Sequence, residues 1–256
     1  MRIIGKKLAT VVATAALTAG SLGAVVGPAQ ASTDSAVAEQ GSCSKAESSR
    51  NSTNMKQITG NSAEGLIRTV SNGVDDGTFN SRAGSSELDF GKGKVYKVSS
   101  GDDQFTSVTI PVDGKYATTS NLTVLFDDDG NRVNYSEVLY THGAEGKFHL
   151  AKYENGKVTE DRDTDIPYKT DSQISQESKQ GAPGEVASQK STGDKVACVA
   201  SVLGVSGTVG YLIVGACAGA CAASETGVTI PVCVACIGAY ATVGGASVTA
   251  VASCFN

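Results

Sequence analysis

From Val196 to Asn256 the chain has no Lys, Arg, His or Asp, and Glu225 is its only charged side chain. Six of the seven cysteines lie there: Cys198, Cys217, Cys221, Cys233, Cys236 and Cys254. A segment without charge must bury its surface or place it against something apolar. Ala, Gly, Val, Ser and Thr dominate it, so each residue buries little area and a core alone would be marginal. Three disulfides, at roughly 2–4 kcal/mol each, would supply the missing stability.

The N-terminus bears on redox state. Arg2, Lys6 and Lys7 precede the uncharged run Leu8 to Val26, and Ala29, Gln30 and Ala31 follow Pro28. This is the layout of a secretory signal, with cleavage expected between Ala31 and Ser32. Residues 1–31 then form a signal peptide and the mature chain is secreted into an extracellular, oxidising space, where cysteines pair. The chain carries −5 overall. With three positive charges on the leader and one negative charge on the tail, residues 32–195 are left at −7. That balance argues against nucleic acid as a partner.

Residues 32–62 are polar, rich in Ser, Asn and Gln, and read as a flexible spacer holding Cys43, the unpaired cysteine. Residues 63–170 change to a period of two after a short helix around Ala63 to Val70. The alternating runs include Glu87 to Phe90, Lys94 to Val98, Phe105 to Ile110 and Leu122 to Phe126. Asp113-Gly114, Asp129-Gly130 and Asn155-Gly156 mark tight turns. An acidic antiparallel meander of about six to eight strands is expected. Residues 171–194 read as an exposed linker with a processing site, the basic residues Lys179, Lys190 and Lys195 marking where a protease would cut. The tail, residues 195–256, completes an α+β chain: an antiparallel β-meander domain followed by a small disulfide-stapled helical hairpin.

The tail spacing is symmetric. Cys221 with Cys233, Cys217 with Cys236, and Cys198 with Cys254 all centre close to Thr226 and Gly227. This describes two helical arms folded at Glu225 to Gly227, with Thr229 and Pro231 starting the second. Six cysteines admit 15 pairings, and the nested ladder is one of them. Cys198 falls off the face of Cys217, so the outer bridge needs a bend, for which Gly204, Gly207 and Gly210 are the available places.

Other chemistry has weaker support. Cys217-x3-Cys221 and Cys233-x2-Cys236 have zinc-like spacing, but two further cysteines would be left over. Asp127 to Asn131 fits a hairpin turn better than a calcium loop, because Leu125 and the lack of a closing Glu break the register. Glu160, Asp161, Asp163 and Asp165 read as a solvated strand end. His142 and His149 stand without a strained nucleophile motif, so no enzyme activity, metal or cofactor is expected. Val196 to Ala223 and Thr226 to Phe255 are long enough to span a bilayer. A rival reading therefore makes the chain a cell-surface binding protein, anchored by a C-terminal two-helix membrane hairpin.

The segment Cys217-Ala218-Gly219-Ala220-Cys221, followed by Gly227-Val228-Thr229-Ile230-Pro231-Val232-Cys233-Val234-Ala235-Cys236, resembles the halocin C-eight-like bacteriocin domain. The resemblance covers the last quarter of the chain. It implies that the C-terminal part is released as a disulfide-bonded antimicrobial peptide and that the preceding segment is a pro-region or immunity-like domain. The implied partners are a target-cell membrane or membrane protein, and intramolecularly the β domain against the tail.

Overall fold

A computed structural model describes residues 53–100, 103–180, 190–222, 230–241, 251 and 253–255. All of these belong to the single unit formed by residues 48–256. The leader, its cleavage position Ala31/Ser32 and Cys43 lie outside the described residues, as does the turn at Glu225 to Gly227.

Seven strands form one antiparallel sheet in sequence order: β1 (Thr53–Ile58), β2 (Lys94–Ser100), β3 (Asp103–Pro111), β4 (Asn121–Asp127), β5 (Arg132–His142), β6 (Lys147–Glu154) and β7 (Lys157–Pro167). The turn chemistry fixes the register. Asn155 and Gly156 both have positive φ, 49° and 76°, as a two-residue turn matching the twist of the β6–β7 hairpin demands. Between β4 and β5, Asp127 takes the Asn131 amide on Oδ1 at 2.7 Å and its side-chain nitrogen on Oδ2 at 3.2 Å. The aspartate run therefore builds a hairpin.

Period two gives the sheet two different faces. Helix α1 (Asn61–Asp75) follows β1 and lays Ala63, Leu66, Ile67, Val70 and Val74 on one of them. These helical positions share one stripe. They meet Val95, Val108, Ile110, Leu122, Val124 and Leu139, all at or near zero exposure. Phe79 closes the far end, its ring filling the space that a side chain at position 73 would need: a Cβ on Gly73 would lie 2.4 Å from it. This face is an aliphatic core complete in itself.

One charge sits beneath it. Glu137 is 1 % exposed and accepts bonds from Ser81 Oγ (2.5 Å), the Arg82 amide (2.8 Å) and the Ala83 amide (3.3 Å). A buried carboxylate is tolerated only when so supplied with donors, and it pins the loop between α1 and β2 to β5.

Three sequence expectations are corrected. Residues 32–62 are not spacer throughout, because β1 and the start of α1 fall within them. In β1 only Met55 and Ile58 are strongly apolar, and they do not alternate, so the pairing with β2, not local pattern, makes it a strand. Glu87 to Phe90 is not a strand. Leu88 makes a single bridge to Val112 between the 3₁₀ turns Ser85–Glu87 and Phe90–Lys92, and the Asp89 side chain accepts the Lys92 amide at 3.1 Å. Residues 171–194 are not linker throughout: they contain α2 (Asp171–Gln180), and α3 (Lys190–Leu203) has already begun. Helix α2 is polar except for Ile174, which is 3 % exposed and joins the core beneath the tail.

Replacing Glu137 by Ala strands two amides and a hydroxyl. We expect a loss of about 2–4 kcal/mol, read as a lower urea midpoint of the sheet.

Candidate functional site: the seam between sheet and stapled tail

The tail consists of α3, α4 (Gly207–Ala222), α5 (Ile230–Ala241) and a closing turn at Ser253–Phe255. Its disulfides are Cys198–Cys254, Cys217–Cys236 and Cys221–Cys233, with Cα–Cα distances of 5.6, 5.7 and 4.6 Å. They form the nested ladder, and leave none of these six thiols for zinc. On α4, Cys217 and Cys221 stand one turn apart and face Cys236 and Cys233 on α5. The bend required by the outer bridge occurs at Gly204, whose φ of +65° ends α3. Across the break the two helices are inclined by 114°. Gly210 brings them together: a Cβ there would stand 3.0 Å from the Val196 carbonyl oxygen.

The tail does not trail behind the sheet domain as an appended hairpin. It covers the face opposite α1. Val98, Val138, Tyr140, Phe148, Leu150 and Ile166 of the sheet pack with Val199, Leu203, Leu212, Ile213, Val234, Ile237 and Tyr240 of the tail in one cluster. Helix α5 crosses β2, β3 and β4, and Gly238 lies against Met55 of β1. Tyr140 rises from β5 and donates its hydroxyl to the Leu212 carbonyl of α4 at 2.6 Å, a bond wholly out of water. Burial pushes the Tyr140 phenol well above its usual range, so it stays a donor. Lys169, just beyond β7, pairs with Glu177 of α2 and donates to Thr208 Oγ1 in the first turn of α4 at 3.2 Å.

Much of this seam is polar. By strand alternation, β3 and β4 turn Ser107, Thr109, Asn121 and Thr123 toward it, all between 0 and 6 % exposed. Thr109 and Thr123 share a 3.0 Å hydroxyl contact, and Thr123 donates to Asn121 Oδ1 at 3.1 Å. Ser107 Oγ and the Tyr240 hydroxyl are both buried on this face. Burial raises the Tyr240 phenol too, with Asn121 beside it pulling the other way. Lys152 is buried on this face and ion-pairs with Glu154 at 3.1 Å. The seam thus combines a row of buried polar side chains with an extensive apolar cluster.

The remaining residues singled out by sequence fall as follows. Lys179 is exposed in the last turn of α2, and Lys190 opens α3. Lys195 lies inside α3, where its Nζ donates to the Phe255 carbonyl at 3.0 Å. A cut at Lys195 would sever the helix carrying Cys198. The acidic run of β7 divides between faces. His149 Nε2 stands 2.9 Å from Asp161 and Nδ1 2.9 Å from Asp163, while Glu160 and Arg162 face the tail, paired at 2.6 Å. His142 packs against Tyr168 with centroids 4.6 Å apart and the rings tilted by 59°. Among the described residues no three metal-binding side chains converge. No single described helix is long and apolar enough to cross a membrane; α3 and α4 together pass by length and composition, but only as a bent pair.

Tyr140, Lys169 and the hydroxyl row were not found from sequence. Period two marks Tyr140 as inward-facing, but nothing in it says that the inward face meets the tail. Comparison with known protein families, curated proteins and solved structures gives no match.

Removing the Tyr140 hydroxyl (Tyr140→Phe) leaves packing intact and deletes one sheet-to-tail bond. We expect about 1 kcal/mol of weaker docking, seen as faster amide exchange in α4 with β3 and β4 unchanged.

Proposed function

We propose that the chain is a secreted bacteriocin precursor. The sheet domain carries the C-terminal tail in a docked, shielded form; a protease cuts between α2 and α3; and the freed disulfide-bonded peptide acts on the membrane of competing cells. The observation that carries this reading is the division of labour across the sheet. One face holds an aliphatic core with α1, needing nothing from the tail. The other meets, through apolar contacts and a row of buried hydroxyls, a tail that has its own staples. Such an arrangement suits a cargo that leaves without unfolding its carrier.

The chemistry of the tail supports the same reading. Apart from Lys190, Asp194 and Lys195 at the start of α3, its helices carry no charge. Once undocked they expose Leu212, Ile213, Val234 and Ile237, a surface suited to an apolar phase. Three disulfides keep α3, α4 and α5 together when the sheet's contacts are gone, and they fit an oxidising, extracellular destination. The resemblance of Cys217 to Cys236 to halocin C-eight-like peptides points to the same end. The rival anchor reading draws only on the bent α3–α4 pair. It gives no role to a sheet face that hides the apolar residues of the tail.

The test is a peptide spanning residues 190–256, oxidised and reduced. The oxidised form is expected to inhibit related strains and leak lipid vesicles at concentrations where the reduced form does not. Equal inertness of both forms on cells and vesicles contradicts the proposal.

A further inference from the structure

Between edge strand β7 and the tail runs a groove of about 360 Å³. Its sheet-side wall is Glu160 and Arg162; its tail-side wall includes Thr192, Tyr211, Val214 and Ala218. That volume lies near the lower end of the range of small-molecule sites, roughly 300–1,000 Å³. The floor is open because α4 supplies small residues there: a Cβ on Gly219 would meet nothing within 4 Å.

The charged wall is only partly engaged with itself. Arg162 Nε donates to Glu160 Oε1 at 2.6 Å, with the two side chains 46 and 28 % exposed. A guanidinium has five N–H donors and a carboxylate about four acceptor sites, so one bond leaves most of both unused. Tyr211 reaches the Arg162 side chain from the tail. An anion entering the groove meets the repulsion of Glu160, and a cation meets that of Arg162. The tail-side wall adds no charge to tip the balance. A ligand carrying both charges side by side satisfies both groups.

We infer that the groove binds a small zwitterion, with its oxyanion on Arg162, its primary ammonium on Glu160 and its short alkyl part against Val214 and Ala218. The site is built from both sides of the seam, so it exists only while the tail is docked. Linkage then makes the ligand a brake: whatever binds only the docked form stabilises docking, and undocking expels it. This role rests on the precursor reading, but the binding site does not.

The test uses the full chain and calorimetric titration, with amide chemical shifts at Gly215 and Gly219 locating the ligand. The probes are free phosphoethanolamine, free glycine, free phosphocholine and vesicles of phosphatidylethanolamine. Saturable binding of a primary-ammonium probe is expected, with a raised melting midpoint. Phosphocholine, whose quaternary ammonium donates no N–H, is expected to bind about tenfold more weakly, as is phosphoethanolamine to Arg162→Gln. Ala218→Leu fills the groove from the tail side and blocks binding without touching either charge, which covers the case of an Arg162→Gln chain that does not fold. Binding of vesicles as well as the free headgroup identifies a lipid source; binding of free probes alone identifies a soluble one. Either supports the site. Absence of saturable binding by every probe, equal binding of phosphocholine, or undiminished binding by both variants overturns it. If binding fails while the oxidised tail kills, only this inference falls; if binding holds while the tail is inert, the precursor reading falls and the site stands.

Discussion

A tail with almost no charge cannot present its helices to water, and the burial of α4 and α5 against the sheet is the interaction that joins the two halves of the structure. Disulfides hold the helices to one another but hide little of their surface. Residues such as Leu212, Ile213 and Ile237 reach zero exposure because the tail helices pack on one another and on the opposing sheet face, which brings Val98, Val138, Phe148 and Leu150 to the same cluster. Burial of such side chains stabilises by roughly 1.5–3 kcal/mol apiece. The seam is held mainly by this term, with Tyr140 and Lys169 orienting the helices.

The sheet has a second core of its own. Helix α1 and the apolar residues of β2 to β5 pack on the opposite face, in a cluster that draws on no residue of the tail. Glu137, buried on the α1 side, ties the long loop after α1 to β5 without involving the tail. On the seam side the hydroxyl row from Ser107 to Thr123 lies beside the apolar residues that meet the tail.

The sequence made much of this legible, because the relevant signals are local. Period two and the dipeptides Asp129-Gly130 and Asn155-Gly156 gave the meander, since strand alternation and positive-φ turns leave direct marks. The nested cysteine spacing gave the stapled hairpin, and Gly204 was among the three glycines able to make its bend. What stayed hidden was tertiary. Strand β1 has too few apolar residues to announce itself and depends on pairing with β2. Helix α2 looks like linker because only Ile174 faces inward. The docking of the tail leaves no local signature at all: an inward-facing Tyr140 reads the same whether it meets α1 or a helix of the tail. The bond from Lys195 to the Phe255 carbonyl is hidden for the same reason, its partner lying at the far end of the tail.

The most direct measurement is the intact mass of every form of the chain in culture medium and membrane fractions, before and after reduction. The account predicts a soluble fragment that begins between residues 180 and 190, ends at Asn256 and gains six hydrogens on reduction, two for each of its three disulfides. Uncut chain confined to the membrane fraction, with no such fragment in the medium, would contradict it.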